Sequence, residues 1–228
     1  MFCYQCEQTA HGTACTEIGV CGKTDDVAAL QDLLVHAAKG VSQYAHRAAQ
    51  LGARDADVDR FVVDALFTTV TNVNFDAERM AEMVRKAATV RDAAKSLYEQ
   101  ASLKAGLIPA HPEGPATWTP VSDVAGLVGQ GKAVSIMDRI QNVGEDITGL
   151  QELLIYGAKG AAAYAAHAAI LGKEDDGIYA FFHEALDFLT VPEPAVDDLL
   201  AINLKCGEVS VGVLALLDAA NTGAYGNP

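Results

Sequence analysis

Basic side chains are scarce in this sequence. Sixteen lysines and arginines stand against 30 aspartates and glutamates among 228 residues, which gives a formal net charge of -14. The sequence has no cluster of lysine and arginine that could follow a phosphate backbone. We therefore expect no nucleic-acid partner.

Signals for export and for membrane insertion are also missing. The first residues, Met1 to Cys3, have neither the basic nor the apolar region of a secretory signal. The most apolar stretch, residues 155–171, is interrupted by Lys159 and His167, so no apolar run long enough for a bilayer is expected. These absences predict a soluble, cytoplasmic protein without a membrane partner.

Cysteine is sparse after the first 21 residues. Four of the five cysteines lie at positions 3, 6, 15 and 21, and Cys206 lies far from them. A disulfide framework spreads its bridges through a small chain, whereas half of these residues are hydrophobic and can form a core. The clustered cysteines are therefore interpreted as metal ligands, and Cys206 as a buried free thiol.

The spacing Cys3-x2-Cys6-x8-Cys15-x5-Cys21 favours a single four-thiolate site in a loop. Structural zinc, two disulfides and free thiols are the alternatives. An iron–sulfur cluster is favoured over zinc because a second Cys-x2-Cys knuckle is missing. In addition, a chain this apolar needs no metal in order to fold.

The chain repeats itself at an offset of 120 residues. Residues 30–40 (LQDLLVHAAKG) align with residues 150–160 (LQELLIYGAKG), and the similarity continues through Tyr44 and Tyr164. Apolar residues recur at helical spacing in each copy, and strand-like alternation is absent. We predict an all-α protein of two tandem three-helix bundles, preceded by a cysteine-rich, cluster-binding loop.

Caps and helix breakers give approximate bounds for these elements. Asp76 is an expected N-cap, and Gly52 lies where a helix C-cap is expected. The predicted helices are residues 27–51, 56–71 and 77–103 in the first copy, and 147–171, 176–189 and 194–220 in the second. The predicted domains are the loop 1–25, the first bundle 26–105, a linker 106–145, the second bundle 146–222, and a truncated linker 223–228 to absent domains.

Several other residues give weaker signals. His11 lies between the candidate ligands and is interpreted as a solvated loop residue. The repeated Lys39 and Lys159, with Asp64 and Glu184, are interpreted as repeated salt bridges or caps. No residue of the chain is assigned a catalytic role.

The opening MFCYQCEQTA, with CTEIGVCGK at residues 15–23 and LQDLL at residues 30–34, resembles the start of hybrid cluster proteins, also called hydroxylamine reductases. The resemblance covers the whole chain and corresponds to that family's N-terminal helical domain of two three-helix bundles. It implies a [4Fe-4S] cluster, with [2Fe-2S] or zinc as the alternatives. The implied ligands are Cys3, Cys6, Cys15 and Cys21.

The resemblance also implies that this chain transfers electrons for a reaction centre located elsewhere. In the family, a hybrid iron–sulfur–oxygen cluster in two later domains reduces hydroxylamine to ammonia and is related to nitric oxide chemistry. Its His, Glu and Cys ligands are not supplied here, since Cys206 alone follows Cys21. The expected partners are an electron-donor reductase or ferredoxin, the missing C-terminal domains and a second copy of the chain. The alternative is a structural or oligomerising helical protein whose zinc or cluster pins the N-terminus.

Overall fold

The computed structural model describes residues 1–227, and every regular element in that range is helical. The extended pairing found there is an isolated bridge between Cys3 and Cys15. The body consists of α1 (Asp25–Gln50), α2 (Ala56–Thr68), α3 (Ala77–Lys104), α4 (Val124–Lys132), α5 (Ile136–Val143), α6 (Glu145–Ile170), α7 (Asp176–Phe188) and α8 (Val196–Tyr225), with short 3-10 helices at Ala10–Gly12 and Gly114–Thr117. The all-α prediction is confirmed.

Aspartate side chains start several of these helices. Asp55, Asp76 and Asp175 accept hydrogen bonds of 2.9 to 3.2 Å from first-turn amides of α2, α3 and α7. Such caps satisfy amides that have no partner within the helix. Gly52 and Gly172 follow α1 and α6 with φ of +76°, a region that glycine enters without strain. The predicted cap roles of Asp76 and Gly52 are confirmed.

The two copies of the repeated unit interlock. α1 and α6 begin 120 residues apart, as do α2 and α7. α1 packs along α3, and α6 packs along α8, but α2 also packs on α6, and α7 on α1. One continuous hydrophobic core contains Leu34 and Phe61 from the first copy and Leu154 and Phe182 from the second. The middle helix of each copy therefore helps to bury the other copy, while the predicted domain bounds stay a prediction.

Residues 106–145, expected as a linker, contain two further helices. α4 begins after Asp123, whose carboxylate accepts a hydrogen bond of 2.8 Å from the Gly126 amide. This helix packs on α1, and a Cβ at Gly131 would overlap the Ala29 carbonyl of α1. The linker bounds stay a prediction, and the glycine at position 131 permits the close packing of α4 on α1.

α8 differs from expectation in two respects. It continues to Tyr225, so part of the predicted terminal linker is helical, and Pro228 of that linker lies outside the described residues. By length and composition alone, α8 could cross a membrane, and less than a quarter of its apolar window is buried. The expectation that the chain has no such stretch is therefore wrong, although core helices of soluble proteins meet the same criteria.

A buried hydrogen-bond chain joins three helices of the two copies. Ser42 of α1 lies 3.1 Å from Nδ1 of His183 in α7, and Nε2 of His183 lies 2.8 Å from Asp59 of α2. Ser42 is 0 % exposed, His183 is 2 % exposed and Asp59 is 5 % exposed, so no substrate reaches them. Both ring nitrogens are satisfied when Nε2 donates to Asp59 and Nδ1 accepts from Ser42. The chain therefore stabilises the interlocked packing.

We predict that His183→Ala lowers the free energy of unfolding by about 2 kcal/mol, because Oδ1 of Asp59 and the Ser42 hydroxyl lose their buried partner, although Arg54 still pairs with the other oxygen of Asp59 at 2.6 Å. Urea unfolding followed by circular dichroism measures this loss. His111→Ala is the matched control, since His111 is exposed and lies 3.8 Å from Glu99 in a surface pair. Equal stability of the two variants would contradict the proposed role of His183.

Candidate metal centre

The four clustered cysteines lie in the loop that precedes α1. Cys3 and Cys15 pair through two backbone hydrogen bonds of 3.0 and 2.8 Å, so their side chains leave the same side of the loop. All five cysteines are free thiols, and the disulfides considered as an alternative are not formed. Cys21 is exposed and Cys15 is buried, so the candidate site reaches from the loop interior to the surface.

Backbone amides in the loop favour the thiolate form of Cys15. The Ala10 amide donates to the Cys15 sulfur at 3.5 Å. Hydrogen bonds from the amides of Ala10 and Val20 hold the pKa of this thiol below its ordinary value. A Cβ at Gly19 would lie 3.0 Å from the Cys21 sulfur, so glycine keeps space beside that ligand. These features suit a loop that surrounds a thiolate-bound centre.

The four sulfurs are not gathered around one metal ion. Within residues 1–227, no three His, Cys, Asp or Glu side chains form a group suited to a single ion. Mononuclear zinc needs four ligands, with each sulfur about 2.3 Å from the ion. Four free thiols on one short loop, with amides directed at a sulfur, fit the donor set of an iron–sulfur cluster. The ligand roles of Cys3, Cys6, Cys15 and Cys21 stay a prediction.

A buried lysine of α6 anchors the first turn of the loop. Lys159 Nζ donates to the side-chain oxygen of Gln5 at 2.8 Å and lies 3.4 Å from the Thr69 carbonyl. The Gln5 amide in turn donates to the same carbonyl at 3.2 Å. Because Gln5 lies between Cys3 and Cys6, these bonds fix the turn that carries both cysteines.

A second buried lysine anchors the end of the loop. Lys23 Nζ donates to the Gln31 side chain of α1 at 2.5 Å, and the Gln31 amide donates to the Asn74 carbonyl at 3.2 Å. Met1 adds a partly buried contact, since its terminal ammonium lies 2.5 Å from Asp25. Both ends of the cysteine loop are therefore tied to the helical body.

A charged gap, formed by Asp32 and Lys39 of α1 with Glu152 and Lys159 of α6, lies beneath this loop. Asp32 is equivalent to Glu152 in the repeat, and Lys39 to Lys159. All four residues border a cavity of about 170 Å³. Arg139 of α5 also borders the cavity and pairs with Glu152. Lys39 is 7 % exposed and has no hydrogen-bond or ion-pair partner within residues 1–227. The gap therefore gathers several charged side chains around one cavity that is shielded from most of the bulk solvent.

Burial shifts the pKa values of Asp32 and Lys39, two of the residues that form the gap. It raises the pKa of Asp32 to about 7, with Glu152 adding to the rise. It lowers the pKa of Lys39 to about 7, with Arg139 adding to the fall. The expected repeated salt bridges are not formed in the described chain, because Glu184 pairs with Lys205 at 2.6 Å rather than with a repeated lysine. The lysines face the gap instead.

Aromatic rings connect the loop to α6. The rings of Phe2 and Tyr4 meet edge to face at 5.5 Å between centroids, and those of Tyr4 and Tyr156 at 6.0 Å. Burial and the nearby Glu152 carboxylate raise the pKa of Tyr4 to about 12. These contacts and the anchoring glutamines were not predicted from the sequence, although the repeated lysine was a usable signal.

Four free thiols on an anchored loop above an all-α body define a candidate iron–sulfur protein. The model of the Prismane/CO dehydrogenase family matches residues 1–228, and the chain belongs to this family, whose proteins bind iron–sulfur clusters.

Relatives of this chain carry the name hydroxylamine reductase. The protein of Rhodospirillum rubrum is 55% identical over 228 residues, which is 100% of this chain and 42% of that protein. The proteins of Solidesulfovibrio magneticus and Geobacter sulfurreducens are 47% and 44% identical to this chain over its whole length. The matched region is 41% of the first protein and 42% of the second. The chain thus spans about two-fifths of the length of the curated relatives it matches.

We predict that Lys39→Met changes the pH dependence of stability. Between the folded pKa of about 7 and the unfolded value of 10.5, the unfolded chain binds more protons at Lys39, so stability rises with pH. The variant loses this rise, so wild type gains about 2 kcal/mol relative to Lys39→Met between pH 7 and pH 9. Urea unfolding at both pH values measures the difference. Exposed Lys95→Met is the control, and a Lys39→Met profile parallel to wild type would contradict the effect.

Proposed function

We propose that this chain is the electron-transfer module of a hybrid cluster protein and holds one [4Fe-4S] cluster on Cys3, Cys6, Cys15 and Cys21. The observation that carries the proposal is the set of four free thiols on one loop whose two ends are tied to buried side chains. Membership of the Prismane/CO dehydrogenase family supports it, because proteins of this family bind iron–sulfur clusters.

When bound, such a cluster accepts and releases one electron without chemical change in the protein. The chain's own residues hold the thiolates, direct amides at Cys15 and place buried lysines beside the loop. Cys206 takes no part, since it is buried in α8 and its thiol pKa is raised by burial. Hydroxylamine reduction is therefore proposed for the longer protein, with its reaction centre outside these residues.

Two exposed surfaces suit the proposed partners. Ile18 and Val20 are each 61 % exposed beside Cys21, and we propose that an electron-donor reductase or ferredoxin approaches the cluster there. α8 presents an exposed apolar row of Leu200, Leu204, Val211 and Leu214. Because the relatives are more than twice as long as this chain, we propose that their remaining domains cover this row. An assembly of this kind is expected in the cytoplasm.

Metal and sulfide analysis of the anaerobically purified chain tests the cluster. We expect about four irons and four sulfides per chain and a broad absorption band that bleaches on reduction. Cys6→Ala should lose the band, because it removes a ligand, while the matched control Cys206→Ala should retain it. About two irons would contradict the cluster type, and zinc without sulfide would favour the structural alternative.

Sedimentation of the isolated chain tests the α8 surface. A polar variant, Leu204→Gln with Val211→Gln, should leave the fold intact, because both side chains are exposed. If the row is covered by the remaining domains, the variant should weaken binding of those domains when they are supplied separately. Unchanged binding, or a tight dimer of the wild-type chain through α8, would contradict the assignment.

A further inference from the structure

The two copies of the repeat carry a lysine at the same position, but only one of them meets the cysteine loop. Lys39 of α1 and Lys159 of α6 are 120 residues apart, and each is 7 % exposed. Lys159 donates to Gln5 in the loop, whereas Lys39 has no partner within residues 1–227. Lys159 therefore contacts the loop, and Lys39 at the equivalent position serves as a matched control.

Lys159 lies close to the candidate ligands. With Lys23 and Cys3 it borders a small cavity of about 20 Å³ under the loop, and its ammonium lies 5.8 Å from the centre of the Tyr156 ring. Lys39 does not border this cavity. The bond from Lys159 to Gln5 reaches the turn between Cys3 and Cys6, which gives this lysine direct control over the placement of that turn.

The charge balance beneath the loop is positive. Lys23, Lys39, Lys159 and Arg139 face two carboxylates, Asp32 and Glu152, of which Glu152 is already paired with Arg139. A cluster held by four thiolates is negative, and reduction makes it more negative. A nearby buried cation therefore stabilises the reduced form more than the oxidised form, and this raises the reduction potential.

We propose that Lys159 is a positioning residue that clamps the Cys3–Cys6 turn and raises the reduction potential of the cluster, whereas Lys39 does neither. The proposal rests on the proposed function, because it requires a cluster on the loop.

The ionisation of the two lysines agrees with this difference. Burial lowers the pKa of Lys159 to about 8; Glu152 and Asp32 oppose that fall, and Lys23 adds to it. Arg139, Glu152 and Asp32 are the charged groups that act on Lys39, and no cysteine is among them. Lys159 is therefore mostly protonated at pH 7 and carries its charge close to Cys3.

Reduction potentials of four cluster-loaded proteins test the proposal at pH 7: wild type, Lys159→Met, Lys159→Arg and Lys39→Met. Methionine keeps the length of lysine but removes the charge and the donor. We expect Lys159→Met to disfavour reduction by roughly tenfold, which is 59 mV for a one-electron couple. Lys159→Arg should restore most of the shift because it keeps the charge, and Lys39→Met should match wild type.

The clamp is tested separately by the rate at which a chelator removes iron. Gln5→Ala removes the acceptor but keeps the charge of Lys159, so it should speed iron loss several-fold and change the potential less than Lys159→Met does. If Lys159→Met loses its cluster while Lys159→Arg and Lys39→Met retain theirs, the clamp is also supported.

Other results overturn the proposal. Equal shifts in Lys159→Met and Lys39→Met would mean that any charge in the gap acts alike, and no shift in either would mean that Lys159 has no effect on the potential. In both cases a wild-type cluster leaves the proposed function intact. A wild-type chain that binds no cluster would overturn the proposed function, and this proposal with it.

Discussion

A hydrogen-bond acceptor stabilises a lysine buried among helices, because an ammonium group buried without one is costly. In this chain, glutamines supply acceptors for Lys23 and Lys159, and those glutamines join the cysteine loop to the body. The loop also packs Tyr4 on Tyr156, and the lysine–glutamine bonds add polar contacts at its two ends. Satisfaction of two buried charges therefore fixes the place of the candidate cluster.

The repeated unit explains why the site is one-sided. Each copy supplies a glutamine and a lysine at equivalent positions, and the loop uses one of each: Gln31 from the first copy and Lys159 from the second. Gln31 is bonded by Lys23, whereas the side-chain oxygen of its counterpart Gln151 is buried with no hydrogen-bond partner among residues 1–227. Tyr156 contacts the loop through Tyr4, whereas its counterpart, His36, packs edge to face on Trp118. The two copies thus contribute different residues to the site, and Lys39 of the first copy and the side-chain oxygen of Gln151 in the second have no hydrogen-bond partner among residues 1–227.

The sequence was informative where a residue's role is local. Apolar spacing located the long helices, and Asp76 and Gly52 were recognisable as caps because capping depends on a few neighbouring residues. The roles of Gly131 and Lys159 were not recognisable, because they depend on which helices meet in space. The glycine at position 131 permits close packing of α4 on α1, a role that sequence neighbours do not reveal. The cysteines could be grouped from spacing alone, but Gln5 and Gln31 acquire meaning only when the loop is folded onto α6 and α1.

The most direct test of the account is the Mössbauer spectrum of the chain loaded with iron-57 under anaerobic conditions. The account predicts one cluster of about four irons with delocalised valence, from which a single added electron produces a paramagnetic state. A spectrum of two localised ferric sites, or iron bound without sulfide, would contradict the claim that the anchored loop holds a [4Fe-4S] electron carrier.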